Sequence, residues 1–505
     1  MTHALELASV TTLILLVYVY LLQINYNRHV SRLPQIRSQQ NKSSEENRQT
    51  YLKSAKALYN EGYEKFTECV YRMANADGIY SVVIPPKLMP ELRRLPDTVL
   101  SSGKAVADFL EVKYTHIFAE EEIVAHTIKA DLTPALVRLN PIICEEVDKA
   151  IQADMPECND WTPVRIYGVL ANMVAKVSGR VFVGPELCQD ENYLEAGVQY
   201  TIELMDAQRR VKNMRPFLRP FLADRLPEVR QLRKREKMAI DFLRPIVEAR
   251  LEGEKTKDWK EPDDLLQWFL KRRTEHNLDS MAKLAKLQLG IIFTAIHTTT
   301  MTATNIFYSL AVTPEYIEPI REEIREVLAA NGGVISSKAL QEMERLDSYM
   351  KEVFRMYPNG YISFLRKVLK GVTLSNGQYI PPGVNLEVPV CSIYRDNSFY
   401  PDSDTFDGFR SYKLRKAEVS AGNQGVSARN QFVNVSEQNI GFGYGRHACP
   451  GRFFAVNEIK MFLARMLLKY DIKMVEGVTR RWANIETGAE CMPDGSKEIL
   501  FKKVA

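Results

Sequence analysis

The sequence predicts a mainly α-helical chain with small β-sheets, preceded by a single N-terminal transmembrane helix. Three observations predict it. From about Tyr51 onward apolar residues recur at helical spacing, with no Pro/Ser-rich linker or internal repeat to divide the chain. Sheet signals are short and isolated: GIYSVVIPP, VTLSNGQYIPPG and the closing KEILFKKVA. The run LASVTTLILLVYVYLLQI, Leu7 to Ile24, carries no charge over a length that crosses a thin bilayer core as a helix.

Taken in order, the apolar run comes first. Tyr18 and Tyr20 near its end suit a membrane interface. Only Glu6 precedes it, and Arg28, Arg32 and Arg37 follow, so it lacks the basic start and small-residue cleavage site of a signal peptide. The positive-inside rule then puts the following domain in the cytosol. This gives an anchor at 1–26 (span about 7–24), a solvated linker at 27–50 containing SQQNKSSEENRQ, and one domain at 51–505. Asn376-Gly377 between β-prone residues predicts a hairpin. Thr313-Pro314-Glu315 reads as a helix start and Asn331-Gly332-Gly333 as its stop. The stretch from Ser280 to Val312 would span about 50 Å as a helix. Its charges lie near its start, so its middle is expected to be buried on most sides. A second membrane span is the rival reading. Gln288, His297, Asn305 and a run of threonines suit lipid poorly and favour a core helix.

Bulk composition excludes some classes. A formal net charge of +4 over 505 residues gives no footprint for nucleic acid. The seven cysteines are scattered, odd in number and without a Cys-x-x-Cys pair. That pattern argues against a disulfide framework or a zinc ribbon and for a reducing compartment.

The chemistry gathers at GFGYGRHACPGRFFA, Gly441 to Ala455. Three glycines let a flat ligand approach the backbone closely. Cys449 then sits before a helix whose N-terminal amides stabilise a thiolate. His447, two residues away, is badly placed as a base for a nucleophilic cysteine, and zinc would need further cysteine or histidine ligands nearby. A packed thiol and an axial thiolate ligand to haem iron both remain open.

FGYGRHACPG resembles the haem-thiolate signature of the cytochromes P-450, Phe-x-x-Gly-x-Arg-x-Cys-x-Gly, with Phe442, Gly445, Cys449 and Gly451 matching. His447 stands where that pattern has arginine, beside Arg446. KEVFRMYP resembles the family's Glu-x-x-Arg through Glu352 and Arg355, three residues apart on one helix face. The resemblance adds Arg410, in FDGFR, as third member of a buried structural charge network. Arg366 matches a family arginine that binds haem propionate, and His126 and Lys129, in HTIKADLTP, lie in the region where the family has a propionate-contacting Trp-x-x-x-Arg pair, at a spacing that differs from it. AIHTTT, Ala295 to Thr300, lies over the oxygen-activating pattern Ala/Gly-Gly-x-Asp/Glu-Thr-Thr. In that register Ala295 lines the pocket, Thr299 is the catalytic alcohol, and Thr298 takes the place of the acid. Tyr361, Ile362 and Phe364 fall where the family lines its substrate pocket.

The resemblance implies a cytochrome P-450 fold and haem, iron protoporphyrin IX, with Cys449 as axial ligand and the sole protein ligand to the metal. It implies monooxygenation of a lipophilic small molecule with O2 and electrons from an NADPH–cytochrome P-450 reductase, with cytochrome b5 as a further donor. Arg446, Arg452 and Lys460, around the loop and the following helix, are either cations that would meet an acidic flavoprotein surface or solvated helix charges. RVFVGPELC and TPEYIEPIREEI are similar to fungal secondary-metabolite members of the ent-kaurene oxidase type, so the substrate expected is terpenoid-derived. MRPFLRPFLA, Met214 to Ala223, lies where the family dips toward the membrane. The expected location is the endoplasmic reticulum membrane, single-pass, with a cytosolic catalytic domain. A haem-thiolate isomerase or dehydratase working without reductase, and a non-catalytic haem-binding protein, are the alternatives.

Overall fold

The computed structural model describes residues 24–117, 122–278, 280–423 and 428–504. The expected membrane span, 7–24, lies outside them except for its last residue. Among the described residues no helix is long and apolar enough to cross a membrane. The helices that position the site are α1 (Ser44–Lys65), α2 (Thr133–Asp154), α3 (Ile166–Phe182), α4 (Glu191–Asn213), α5 (Pro227–Gly253), α6 (Met281–Leu310), α7 (Ile317–Ala330), α8 (Glu344–Met356), α9 (Arg410–Ser420) and α10 (Arg452–Lys469).

The stretch read as a solvated linker, 27–50, is built into the domain. Ser43 and Glu46 form a capping box that starts α1 inside it. Gln39 is buried and exchanges two hydrogen bonds with the backbone of Ala74, and Asn47 donates to the Gln39 carbonyl. Composition alone hides this, because each polar group finds its partner some distance along the chain.

The main sheet runs β1 (Tyr71–Ala74), β2 (Tyr80–Val83), β8 (Asn385–Pro389), β5 (Ile362–Val368), β3 (Leu100–Ser101). β2 and β8 pair in parallel and the remaining neighbours antiparallel. A three-stranded sheet joins β4 (Thr162–Val164), β12 (Ile499–Lys503) and β9 (Tyr470–Met474). The hairpin expected at Asn376-Gly377 is present as β6 (Val372–Thr373) against β7 (Tyr379–Ile380), with Gly377 at φ +82. The second hairpin, β10 (Asn484–Thr487) with β11 (Glu490–Pro493), carries Cys491 into a core shared with Tyr51, Tyr59 and Tyr71.

α6 is the central helix, packed on α3, α4 and α5. Ser280 caps it, accepting from the Lys283 amide. Its polar interior residues bond to neighbouring elements: Gln288 donates to the Phe182 carbonyl and Asn305 to that of Tyr357. These partners make it a core helix. Thr313 does not cap α7 as its sequence suggests. Its hydroxyl bonds back to the Ser309 carbonyl, and a 3-10 turn at Pro314–Tyr316 leads into the helix. The stop is as expected, with Gly332 and Gly333 at positive φ and the Gly333 amide donating to Leu328.

Candidate active site

Three segments far apart in sequence meet at the entry to β5. Ser363 donates to the Ile440 carbonyl at 2.8 Å, tying β5 to the cysteine loop. Asn359, just before β5, donates to the Thr298 carbonyl at 3.2 Å and to the Thr302 hydroxyl at 2.9 Å, tying it to α6. The Tyr394 hydroxyl accepts from the Gly441 amide at 2.9 Å.

The cysteine loop is fixed from both sides. The Cys449 amide donates to the Phe442 carbonyl at 2.7 Å, closing the loop, while Gly443 and Gly445 take φ of +79 and +70. A Cβ on Gly441 would come within 2.2 Å of the Phe354 ring, so no other residue fits that contact. Phe442 stacks on Phe354 with centroids 5.4 Å apart and planes 15° apart, and Phe432 closes the cluster. Cys449 is half-buried. Burial pushes its thiol pKa up, while the amides of Gly451 and Arg452 and the Arg452 guanidinium pull it down. Among the described residues no group of three His, Cys, Asp or Glu could hold a metal ion. A metal at Cys449 therefore takes its other ligands from a cofactor.

Behind the loop the structure brings Glu352, Arg355 and Arg410 together. Arg355 grips Glu352 through two hydrogen bonds of 2.8 and 2.9 Å, and its remaining donors reach the carbonyls of Tyr394 and Ser403. Arg410 meets the same carboxylate at 3.3 Å and donates to the Thr405 carbonyl. Every member of this network is satisfied by neighbouring protein groups.

Arg366 is different. It is 6 % exposed, stacks on the Phe364 ring and donates to the Leu365 carbonyl and the Ser102 hydroxyl. No carboxylate pairs with it among the described residues. Burial lowers its pKa to about 10, opposed by Asp97. A buried guanidinium without a counter-ion is a seat for an anion, so this residue fits a haem carboxylate. His447 lies on the same edge: its Nε2 is 2.8 Å from Asp97, and burial and then the charge of Arg366 lower its pKa. Lys129 reaches the loop by donating to the Arg446 carbonyl at 3.2 Å. His126 is exposed and sits beside His276, ring centroids 6.3 Å apart.

On α6 the geometry corrects the register read from the pattern. Thr299 is 3 % exposed, on the packed side of the helix. Thr298 lies on the open strip with Thr294, flanked by half-buried Phe293, Ala295 and Met301. The Thr298 hydroxyl donates to the Thr294 carbonyl at 2.7 Å, a back-bond that Thr300 and Thr302 also make, so exposure and not this bond sets Thr298 apart. The alcohol on the open face is therefore Thr298, and His297 falls where the pattern has its acid.

Two pocket expectations are also corrected. Tyr361 packs with Tyr51, Tyr59 and Cys391, and Phe364 joins the core under the main sheet. A bulge between Ser363 and Arg366 breaks the strand alternation, and Phe364 takes φ +54 there. Ile362 and Leu365 stay half-buried instead. Lys460 is not a docking cation: it is buried, 2.7 Å from Asp347 and bonded to the Leu340 carbonyl. Arg446 is turned to Asp97 at 3.0 Å, and Arg452 to the carbonyls of Cys449 and Val433. Sequence reasoning missed Asn359 and Asp97. Their partners are dozens to hundreds of residues away, and no local signal marks them.

A helical fold in which Cys449 faces helix amides, its loop tied to the strand that carries a buried guanidinium, fits a haem-thiolate protein. The chain belongs to the Cytochrome P450 family, whose model matches residues 122–496. It is 40% identical over 423 residues to cytochrome P450 monooxygenase ATR3 of Stachybotrys chlorohalonatus, covering 84% of this chain and 88% of that protein. It is 37% identical over 497 residues to cytochrome P450 monooxygenase TES1 of Alternaria alternata, covering 97% and 92%. The chain is thus an oxidoreductase, a monooxygenase whose cofactor is haem with an axial cysteine thiolate. It acts on a small molecule and takes electrons from a redox partner. When bound, haem supplies the oxygen and electron-transfer chemistry, and the protein supplies orientation and exclusion of water.

Proposed function

We propose that this protein is a membrane-anchored monooxygenase that oxidises C–H bonds of a lipophilic, terpenoid-derived secondary metabolite, with electrons from an NADPH–cytochrome P-450 reductase. The observation that carries the reading is that Ser363 and Asn359 tie the cysteine loop and the open threonine strip of α6 to β5, the strand that carries Arg366. Cys449 is the axial ligand. Phe442 packs the loop on Phe354, the Gly451 amide faces the sulfur, and Arg366 with Lys129 and His447 would hold the carboxylates of the haem. Thr298 holds a hydroxyl where a proton is needed, and Ala295, Ile362 and Leu365 line the substrate side.

The apolar substrate and the membrane are supported by Phe217 and Phe221, 63 % and 73 % exposed on the turns after α4. The uncharged run 7–24 and the arginines after it support an anchor in the endoplasmic reticulum membrane with the catalytic domain in the cytosol. Cytochrome b5 is a compatible second donor.

The test is the carbon monoxide difference spectrum of the reduced protein, followed by terpenoid substrates with NADPH and reductase. A strongly red-shifted Soret band and NADPH-dependent hydroxylated product are expected. A Soret band at the histidine-ligated position in folded protein would overturn Cys449. Product formed without NADPH would replace monooxygenation with isomerisation or dehydration.

A further inference from the structure

His297 precedes Thr298 on α6 and turns away from the open strip, into the junction of α6 with α3 and α4. It is 8 % exposed. Its Nε2 lies 3.0 Å from the Val198 carbonyl of α4, and its Nδ1 lies 3.1 Å from the Tyr167 hydroxyl at the start of α3. A carbonyl offers only lone pairs, so Nε2 must carry the proton of this bond. In the neutral ring Nδ1 then accepts, and the Tyr167 O–H donates. Burial lowers the pKa of the ring, which favours that neutral form.

The direction of this chain decides its role. It runs from Tyr167 through His297 to Val198 and ends on an oxygen that has no proton to pass on. Neither ring nitrogen is turned toward Thr298. A proton relay needs a terminus that can both take and give, and this one cannot. What the geometry does supply is a tie among three helices at the turn that presents Thr298. Ile292 and Ile296 pack beside the tie against Gly197, one residue before Val198.

We propose that His297 is a positioning residue, a three-helix lock that fixes Thr298 against α4 and α3, and not the proton donor that its place in the pattern suggests. Its relevance to catalysis rests on the reading of Thr298 as the site alcohol. The lock itself does not.

Two readouts on the full-chain holoenzyme separate these ideas. The first is amide hydrogen exchange of peptides from 191–213 and 281–310. The second is the fraction of consumed NADPH recovered as peroxide with reductase and no added substrate, measured from pH 6 to 8. In His297→Gln the amide nitrogen reaches the Val198 carbonyl, so α4 exchange stays within about twofold of wild type. In His297→Asp a carboxylate faces that carbonyl, and α4 exchange rises roughly tenfold, the loss of one buried hydrogen bond. Tyr167→Phe gives a smaller rise at α6. The shape of the peroxide pH profile is the same in wild type and His297→Gln.

The proposal is overturned if His297→Asp leaves α4 exchange unchanged, or if Asp keeps the peroxide fraction at the wild-type value while Gln raises it. Should the Asp variant fail to fold, His297→Ala gives the same decision. Faster α4 exchange with an unaltered pH profile supports the lock. Unchanged exchange with a lost pH limb overturns it. A wild-type peroxide fraction in folded Thr298→Val removes the Thr298 reading and leaves the lock standing.

Discussion

Glu352 and Arg366 are both buried charges, and they are handled in opposite ways. Glu352 receives two bonds from Arg355, one from Arg410 and one from the Asp407 amide, all from the chain itself. Arg366 has an aromatic ring and two neutral acceptors and, among the described residues, no carboxylate partner. Removing a charge from water is costly unless a partner compensates it. The closed network is therefore architecture, and the open guanidinium marks a place for something the chain does not supply. Glu458 shows a third solution. It is fully buried on α10 and accepts a hydrogen bond from Ser178 at 2.9 Å, and its other oxygen has no partner among the described residues. Burial raises its pKa to about 8, so it is kept neutral by a proton.

The largest effect expected is at the sulfur that gives the open seat its purpose. Cys449→Ala abolishes haem incorporation, read as loss of the Soret band in protein that remains folded. Full haem content would remove the contrast altogether.

Breaking the closed network comes next. Glu352→Ala leaves Arg355 buried and uncompensated, and unfolding in urea should show a loss of about 3–5 kcal/mol. A loss under 1 kcal/mol would mean that this network is not closed.

Glu458 sharpens the third case through pH. Its folded pKa lies above the unfolded value, so the native state binds more protons between the two. Stability is thus full below the unfolded carboxylate range and falls as pH rises toward about 8. Each unit of separation is worth about 1.4 kcal/mol. Glu458→Gln should flatten urea midpoints measured from pH 5 to 8, and an unchanged slope would assign the decline to other groups.

Arg366→Leu removes a charge that costs the apoprotein desolvation. It should leave apoprotein stability unchanged or raised while weakening haem retention roughly 10- to 100-fold, the worth of one charge-assisted contact. Apoprotein destabilised to the same degree as in Glu352→Ala would make Arg366 architecture too.

The smallest effect separates the two faces of α6. Thr298→Val should raise the peroxide fraction of consumed NADPH a few-fold with haem retained, whereas Thr299→Val should change stability slightly and coupling hardly at all. The reverse pattern would restore the alcohol to Thr299.

Much of the site was readable where the chemistry is local. The glycine spacing before Cys449 shapes a loop through the chain's own φ angles, and Glu352 and Arg355 share a face because three residues make nearly one helical turn. The hairpin at Asn376-Gly377 and the stop at Gly332-Gly333 are set the same way, by residues that tolerate positive φ. Pattern reading failed where a partner lies far along the chain. The expected linker is pinned by Gln39 to Ala74, and Tyr361 before the bulge and Phe364 within it are taken into different cores, which no local pattern announces.

The sequence by itself determined the helix that carries the threonines and the loop that carries the thiol, since backbone propensity and turn chemistry act over a few residues. The tertiary structure alone decided which threonine faces the open strip. One residue along a helix turns a side chain by about 100°, and only packing against α3 and α4 sets that rotation.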